Sequence, residues 1–246
     1  MGTNWLGRFR DSGVRLADMT QFNDWYNCEA LEIWRNTTPK QELMPLLIPE
    51  IQTDAEVLVV GINPSHDLKW INQQLEDRAA FGNYSAEELF AWNEKQLEQR
   101  KPFIIKMEKH ARELDNRYFK AVKNFVSSCE FNSWTHLDLF LMRSTNQDEG
   151  MKLILKKKEM TDFGIKQVDL FFEAISKIKS KIVVVPNALA SKIIHKRILK
   201  NDEIHTSLQF EGKQYFFASM LSGGAMDIFS KERLRQEIVS FKKINI

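Results

Sequence analysis

Glu56-Val57-Leu58-Val59-Val60-Gly61-Ile62-Asn63-Pro64-Ser65-His66 is the stretch from which the fold can be read. Its apolar half is short, continuous and rich in β-branched side chains, the pattern of a strand buried on both faces. Gly61 and Pro64 then end the run and turn the chain. Three later segments repeat the theme. Trp134–Met142 mixes leucines and a phenylalanine with Thr135, His136 and Asp138. Ile182–Val185 is β-branched throughout and stops at Pro186-Asn187, and Gln214–Ser219 carries Tyr215, Phe216 and Phe217 ahead of Ser222-Gly223-Gly224.

Helical patterns separate most of these strands. Phe22, Trp25, Tyr26, Ala30, Ile33 and Trp34 recur at near-helical spacing, which predicts a helix over Phe22–Arg35. Ser85 with Glu88 has the form of a capping box and predicts a long helical region after it. Another helix is expected from about Asp115 through Ser127. Continuous apolar strands alternating with helices predict a three-layer α/β/α fold around a mainly parallel, four-stranded sheet. With no internal repeat or low-complexity linker, one domain is expected over 1–246, with a helical extension over about 1–50. In such sheets ligands sit beyond the carboxyl ends of the strands, so the residues just after each run are the ones to weigh.

The 246 residues are 43% apolar and 28% charged, with 10 Gly, 6 Pro and 17 Phe. A chain of this size buries roughly 70–75% of its unfolded surface, and its composition excludes intrinsic disorder, collagen-like repeats and disulfide-stapled mini-proteins. The longest apolar runs fall far short of the roughly 20 residues that a membrane-spanning helix needs. Met1–Arg15 lacks the apolar centre of a secretory leader, so a soluble cytoplasmic protein is expected, with Cys28 and Cys129 as reduced thiols.

The net charge of +2 says little, but its distribution says more. Asp54–Glu98 holds nine acidic against three basic residues, and Arg100–Lys123 reverses this to eight basic against three acidic. Lys177–Lys200 carries seven Lys or Arg and no carboxylate, and Lys156-Lys157-Lys158 adds another block. Such blocks suit a surface that tracks phosphates if they converge in space; otherwise they are solvated helix faces.

In the loop after the first strand, Asn63 could aim a carboxamide into a cleft and hold a water, or could simply form an Asn-Pro turn. Asp138 could face a ligand, or pair with Arg143 or a lysine. Asn187 could touch a phosphate or cap the following helix, and capping already accounts for an Asn at that place. Trp70 and Trp92 could stack a base or belong to the core. His136 reads as structural. There is no Walker-type or dinucleotide-binding glycine motif and no cluster with zinc spacing.

Val57-Leu58-Val59-Val60-Gly61-Ile62-Asn63-Pro64-Ser65-His66 resembles the first motif of the uracil-DNA glycosylase superfamily. The prototype branch carries G-Q-D-P-Y-H at this junction and the mismatch-specific branch G-I-N-P-G. Gly61 and Pro64 match both branches, Ile62 and Asn63 match the mismatch branch, and His66 falls on the prototype's closing histidine. The resemblance implies that Asn63 positions the attacking water, without the stronger carboxylate of the prototype. Ser65 replaces a bulky tyrosine, which leaves room for a 5-substituted pyrimidine or a larger base.

The second motif of that superfamily, H-P-S-P-L-S, is best matched by Phe217-Ala218-Ser219-Met220-Leu221-Ser222. Ser219, Leu221 and Ser222 agree, but Phe217 stands where a histidine stabilises the departing base. Losing one such preorganised donor costs about 3–4 kcal/mol of barrier. Several branches also carry an asparagine near the place of Asp138. An ionised carboxylate only accepts hydrogen bonds, so Asp138 would favour an edge rich in N–H, such as the amine of cytosine or adenine.

The resemblance thus implies a protein that binds DNA, single-stranded or mismatched, everts a damaged or mismatched base and hydrolyses its N-glycosidic bond. Asn63 would be catalytic. Gly61, Ile62, Ser65, His66, Asp138 and Phe217 would hold the base. Pro64, Asn187, Ser191, Lys192, Ser219, Ser222 and Gly223 would meet the nucleic-acid backbone, assisted by Lys181, Lys196 and Arg197. No metal or cofactor is implied. The alternatives are a catalytically silent nucleic-acid-binding module of the same fold and a nucleoside or nucleotide hydrolase.

Overall fold

Val57–Gly61 forms β1, an interior strand of the main sheet in the computed structural model, and Val57, Leu58, Val59 and Val60 are each at most 1% exposed. Burying a side chain of this size stabilises by roughly 1.5–3 kcal/mol, so this one strand anchors the core from both faces. The structure describes residues 12–37, 42–63, 67–114, 117–144, 147–157, 159–201, 203–221 and 224–245. Pro64, Ser65, His66, Asp115, Lys158, Ser222 and Gly223, all invoked above, lie outside them.

In chain order the elements are α1 (Ser12–Arg35), β1, α2 (Leu68–Gln74), α3 (Ala86–Phe90), α4 (Leu97–Glu113), α5 (Arg117–Ser128) and β2 (Trp134–Asp138). Then come α6 (Gln147–Ile154), β3 (Leu155–Lys156), β4 (Glu159–Met160), α7 (Asp162–Lys177) and β5 (Ile182–Pro186). α8 (Ala188–Leu199), β6 (Ser207–Phe210), β7 (Lys213–Ala218) and α9 (Ile228–Asn245) complete the chain. The main sheet runs β2-β1-β5-β7-β6, and β3 and β4 form a separate antiparallel hairpin.

The sheet has five strands, not four. β2, β1, β5 and β7 are parallel, and β6 adds an antiparallel edge to β7. Ser207–Phe210 was missed because an edge strand exposes one side, and its Ser-Leu-Gln-Phe lacks the continuous apolar run of a central strand. β2 ends at Asp138, earlier than Met142. The chain still follows the loop after β1, since the Leu139 and Phe140 amides donate to the Gly61 and Ile62 carbonyls at 3.0 and 2.8 Å.

Strand alternation divides the core. Leu58, Val60, Leu137, Val183, Val185, Tyr215 and Phe217 point to one face, where Tyr26 and Trp34 of α1, Phe171 of α7 and Ile194 of α8 cover them. Val57, Val59, Ile182, Val184 and Phe216 point to the other, beneath Val122 and Phe125 of α5 and Leu234 and Ile238 of α9.

A third apolar cluster joins Met44 and Leu47 to Ile71, Phe90, Ile104 and Met107 in the helical segment between β1 and β2. The Ser85–Glu88 capping box forms with both reciprocal bonds, but α3 is only five residues long. Buried Arg100 helps to close this segment by donating to the Glu88 carbonyl and, at 3.0 Å, to the Asn93 carbonyl. Among the described residues no helix is long and apolar enough to cross a membrane.

Candidate functional site

β1 lies between β2, reached through α2–α5, and β5, reached after β2 on the opposite side. The connections leaving the sheet therefore diverge at its centre, and a crevice opens over the carboxyl ends there. A cavity of about 580 Å³ occupies this place. β1 and its loop contribute Gly61, Ile62 and Asn63, β2 gives His136 and Asp138, β5 leads to Pro186 and Asn187, and the segment after β7 supplies Met220. The helical segment closes the cavity with Trp70, Glu108 and Arg112, and α5 adds Arg117, Tyr118 and Phe119.

Gly61 is fixed by close approach. It pairs in register with Asp138, and a Cβ built on it would lie 2.0 Å from Asp138 Oδ1 and 2.9 Å from His136 Nε2. Only a hydrogen at this position lets the β2 side chains lean over β1. Asn63 is oriented by its Nδ2, which donates to the Ser144 carbonyl at 3.1 Å.

Burial disfavours the charged form of each of the three polar groups at the floor. Burial raises the Asp138 carboxyl most strongly; Arg112 opposes this, Glu108 adds to it and Arg143 opposes it, leaving the group at about 7. Burial, with Arg112 nearby, holds the His136 imidazole well below its ordinary value. Burial and the Asp138 charge raise the Tyr118 phenol. Tyr118 Oη and His136 Nε2 lie 3.0 Å apart, and His136 Nε2 is 3.9 Å from Asp138 Oδ1. Asp138 makes no side-chain hydrogen bond among the described residues, and buried His136 Nδ1 has no partner there. Arg143 does not pair with Asp138. It is engaged with Glu108 and with the Met44 and Pro45 carbonyls.

Other candidate residues lie elsewhere. Phe217 is 7% exposed and packs on His195 with ring centroids 3.9 Å apart, so it belongs to the core and not to the cavity wall. The alternation that buries Val185 beside it on the same face also turns Phe217 inward. Buried Ser191 donates to the Val185 carbonyl at 3.2 Å and does not line the cavity. Ser219 ties its loop to the Ala225 carbonyl.

Asn187 caps α8, accepting from the Leu189 and Ala190 amides at 3.0 Å each, while its side also lines the cavity. Lys192 and Lys196 are exposed on α8, and Arg197 pairs with Asp169. Lys181 precedes β5 and so lies at the amino end of the sheet, the wrong rim for this cavity. Trp92 packs on the core, whereas Trp70 reaches the cavity.

The basic block Arg100–Lys123 does not act as one surface. Lys106 donates to the Ala80 carbonyl, Lys109 pairs with Glu50, and Arg112 and Arg117 line the cavity. Glu108, Arg112, Tyr118, Phe119 and Met220 were not singled out in the sequence. Only the helix packing brings these residues of α4 and α5 over the strand ends. Compared with known proteins, the chain matches no family model and no curated protein.

Proposed function

We propose that this cavity receives an everted nucleobase and that the protein hydrolyses the N-glycosidic bond joining the base to its sugar, as the resemblance of the Gly61–His66 loop to uracil-DNA glycosylases implies. The observation that carries the reading is the meeting of Asn63 and Asp138, from the ends of adjacent strands, in one cavity with Trp70, Phe119 and Met220. A volume of about 580 Å³ is within the usual range for a small-ligand site. The mixture is suited to a flat heterocycle. Aromatic and thioether groups cover its faces, and uncharged hydrogen-bonding groups meet its edge.

In this mechanism Asn63 holds a water but cannot act as a base. The C1′–N bond therefore breaks ahead of attack, water oxygen bonds to C1′, and one water proton ends on the departing base. Arg112, beside His136 and Asp138, and exposed Arg117 supply positive charge in the cavity lining for the phosphate backbone or the negative charge that develops on the base.

A second reading, a silent binding module, is favoured by one observation. At the β7 end the residue lining the cavity is Met220, a thioether with no donor to offer a leaving base. One experiment separates these readings: abasic-site formation on single-stranded and mismatched duplex oligonucleotides carrying a panel of modified bases, with free nucleosides as a further arm. The wild type is expected to generate abasic sites, and Asn63→Ala to lower the rate by about 100-fold. Salt-sensitive binding without product supports the silent module, and turnover of free nucleosides alone supports a nucleoside hydrolase.

A further inference from the structure

Asp138 stands where the edge of a bound base would lie. It reaches the cavity from the end of β2, rests against a glycine that leaves it space, and has no hydrogen-bond partner among the described residues. The groups facing it are Tyr26 on α1, Glu108 and Arg112 on α4, Tyr118 on α5, His136 on β2, and Arg143 beyond β2. Asp67 and Arg117 line the same cavity. Glu108 and Arg143 are engaged with each other, and Arg112 donates to the His136 carbonyl at 3.4 Å.

Building on the base-binding reading of the cavity, we propose that Asp138 is its specificity-determining residue, working as a neutral acid that donates one hydrogen bond and accepts another, so that bases with a donor beside an acceptor are held and are let go as the acid ionises. This reverses the expectation drawn from an ionised Asp138. A carboxylic acid can carry its proton on either oxygen and so fits a donor and an acceptor in either order. Hypoxanthine and uracil offer a carbonyl beside an N–H. A carboxylate would take the N–H but face the carbonyl oxygen with like charge. Guanine differs from hypoxanthine by its 2-amino group, which places two N–H donors side by side, and a carboxylate can accept both. The value of about 7 for Asp138 places the change near neutrality.

The test uses the full-length protein and two single-stranded oligonucleotides that differ in one base, hypoxanthine or guanine, each on a 2′-fluoroarabino sugar that resists cleavage. Binding is measured between about pH 5.5 and 8.5, and the ratio of the two affinities is read so that general charge effects cancel. Hypoxanthine affinity relative to guanine is expected to hold below neutrality and to fall about tenfold per pH unit above it, as the competent fraction shrinks. Asp138→Asn, which keeps a donor and an acceptor at every pH, should remove the fall. A wild-type ratio independent of pH, or the same fall in Asp138→Asn, overturns the inference while leaving a base-binding cavity in place. No binding of either strand at any pH overturns the base-binding reading and the inference with it.

Discussion

The ends of β2 and β5 both carry buried polar side chains, yet the two ends use them differently. At β5 each group is spent on the fold. Asn187 caps α8, Ser191 donates to the Val185 carbonyl, and His195 bonds the Ser191 carbonyl at 2.8 Å and accepts from the His205 amide at 3.2 Å. At β2, His136 meets Tyr118 through Nε2, but among the described residues His136 Nδ1 has no partner and the Asp138 side chain makes no hydrogen bond. Buried polar groups are normally satisfied, because leaving one unmet costs about 1–3 kcal/mol. The β5 end is thus closed by its own hydrogen bonds, whereas the β2 end keeps polar groups without a partner beside the cavity, which is the contrast that the base-binding proposal explains.

The largest effect that could break this contrast concerns Phe217, on the satisfied side. As a core side chain it should cost about 3–5 kcal/mol in urea unfolding when changed to alanine. A loss below about 1 kcal/mol would return it to the cavity wall, where the resemblance had put it.

Next is the pH dependence of stability that Asp138 imposes. Its folded value of about 7 lies above the ordinary 3.8, so the native state keeps a proton that the unfolded chain releases. Stability from this group is fully present below about pH 4 and is lost as pH rises through about 7, by up to about 4 kcal/mol. Asp138→Asn should remove that loss, so the variant gains on the wild type as pH rises from about 4 to 8. Parallel stability curves would mean that the carboxyl is ionised throughout.

Asn187→Ala gives the smallest effect, about 1 kcal/mol from the lost helix cap. Oligonucleotide binding measured alongside should change little. A larger effect on binding than on stability would give the Asn187 side chain, which lines the cavity, a part in holding the ligand beyond its cap.

The parallel core was legible because Val57–Val60 and Ile182–Val185 are runs that only strands buried on both faces need. Asn187 and the Ser85–Glu88 pair were legible because capping is local chemistry. β6 was not, since an edge strand needs no continuous apolar run. The Arg100–Lys123 block misled for the opposite reason. Its charges look alike in the sequence, but Arg100 is spent on backbone carbonyls while Arg112 and Arg117 face the cavity. Which cations do which depends on how α4 and α5 cross the sheet, and no residue pattern within those helices encodes it. The environment of Asp138 was hidden likewise, because Glu108, Arg112 and Tyr118 meet it only through long-range packing.

In the base-cleaving reading proposed here, the Gly61–Asp138 contact shapes the place where a base is held. Single-turnover release of free base from hypoxanthine- and uracil-containing single strands, compared between the wild type and Gly61→Ala, tests it most directly. The added methyl would have to displace the Asp138 carboxyl, and a misplacement of about 1 Å can cost about 100-fold. Release by the wild type is expected, with a loss of about that size in the variant and cooperative unfolding retained. Equal release by the two proteins, or none by the wild type, would contradict it.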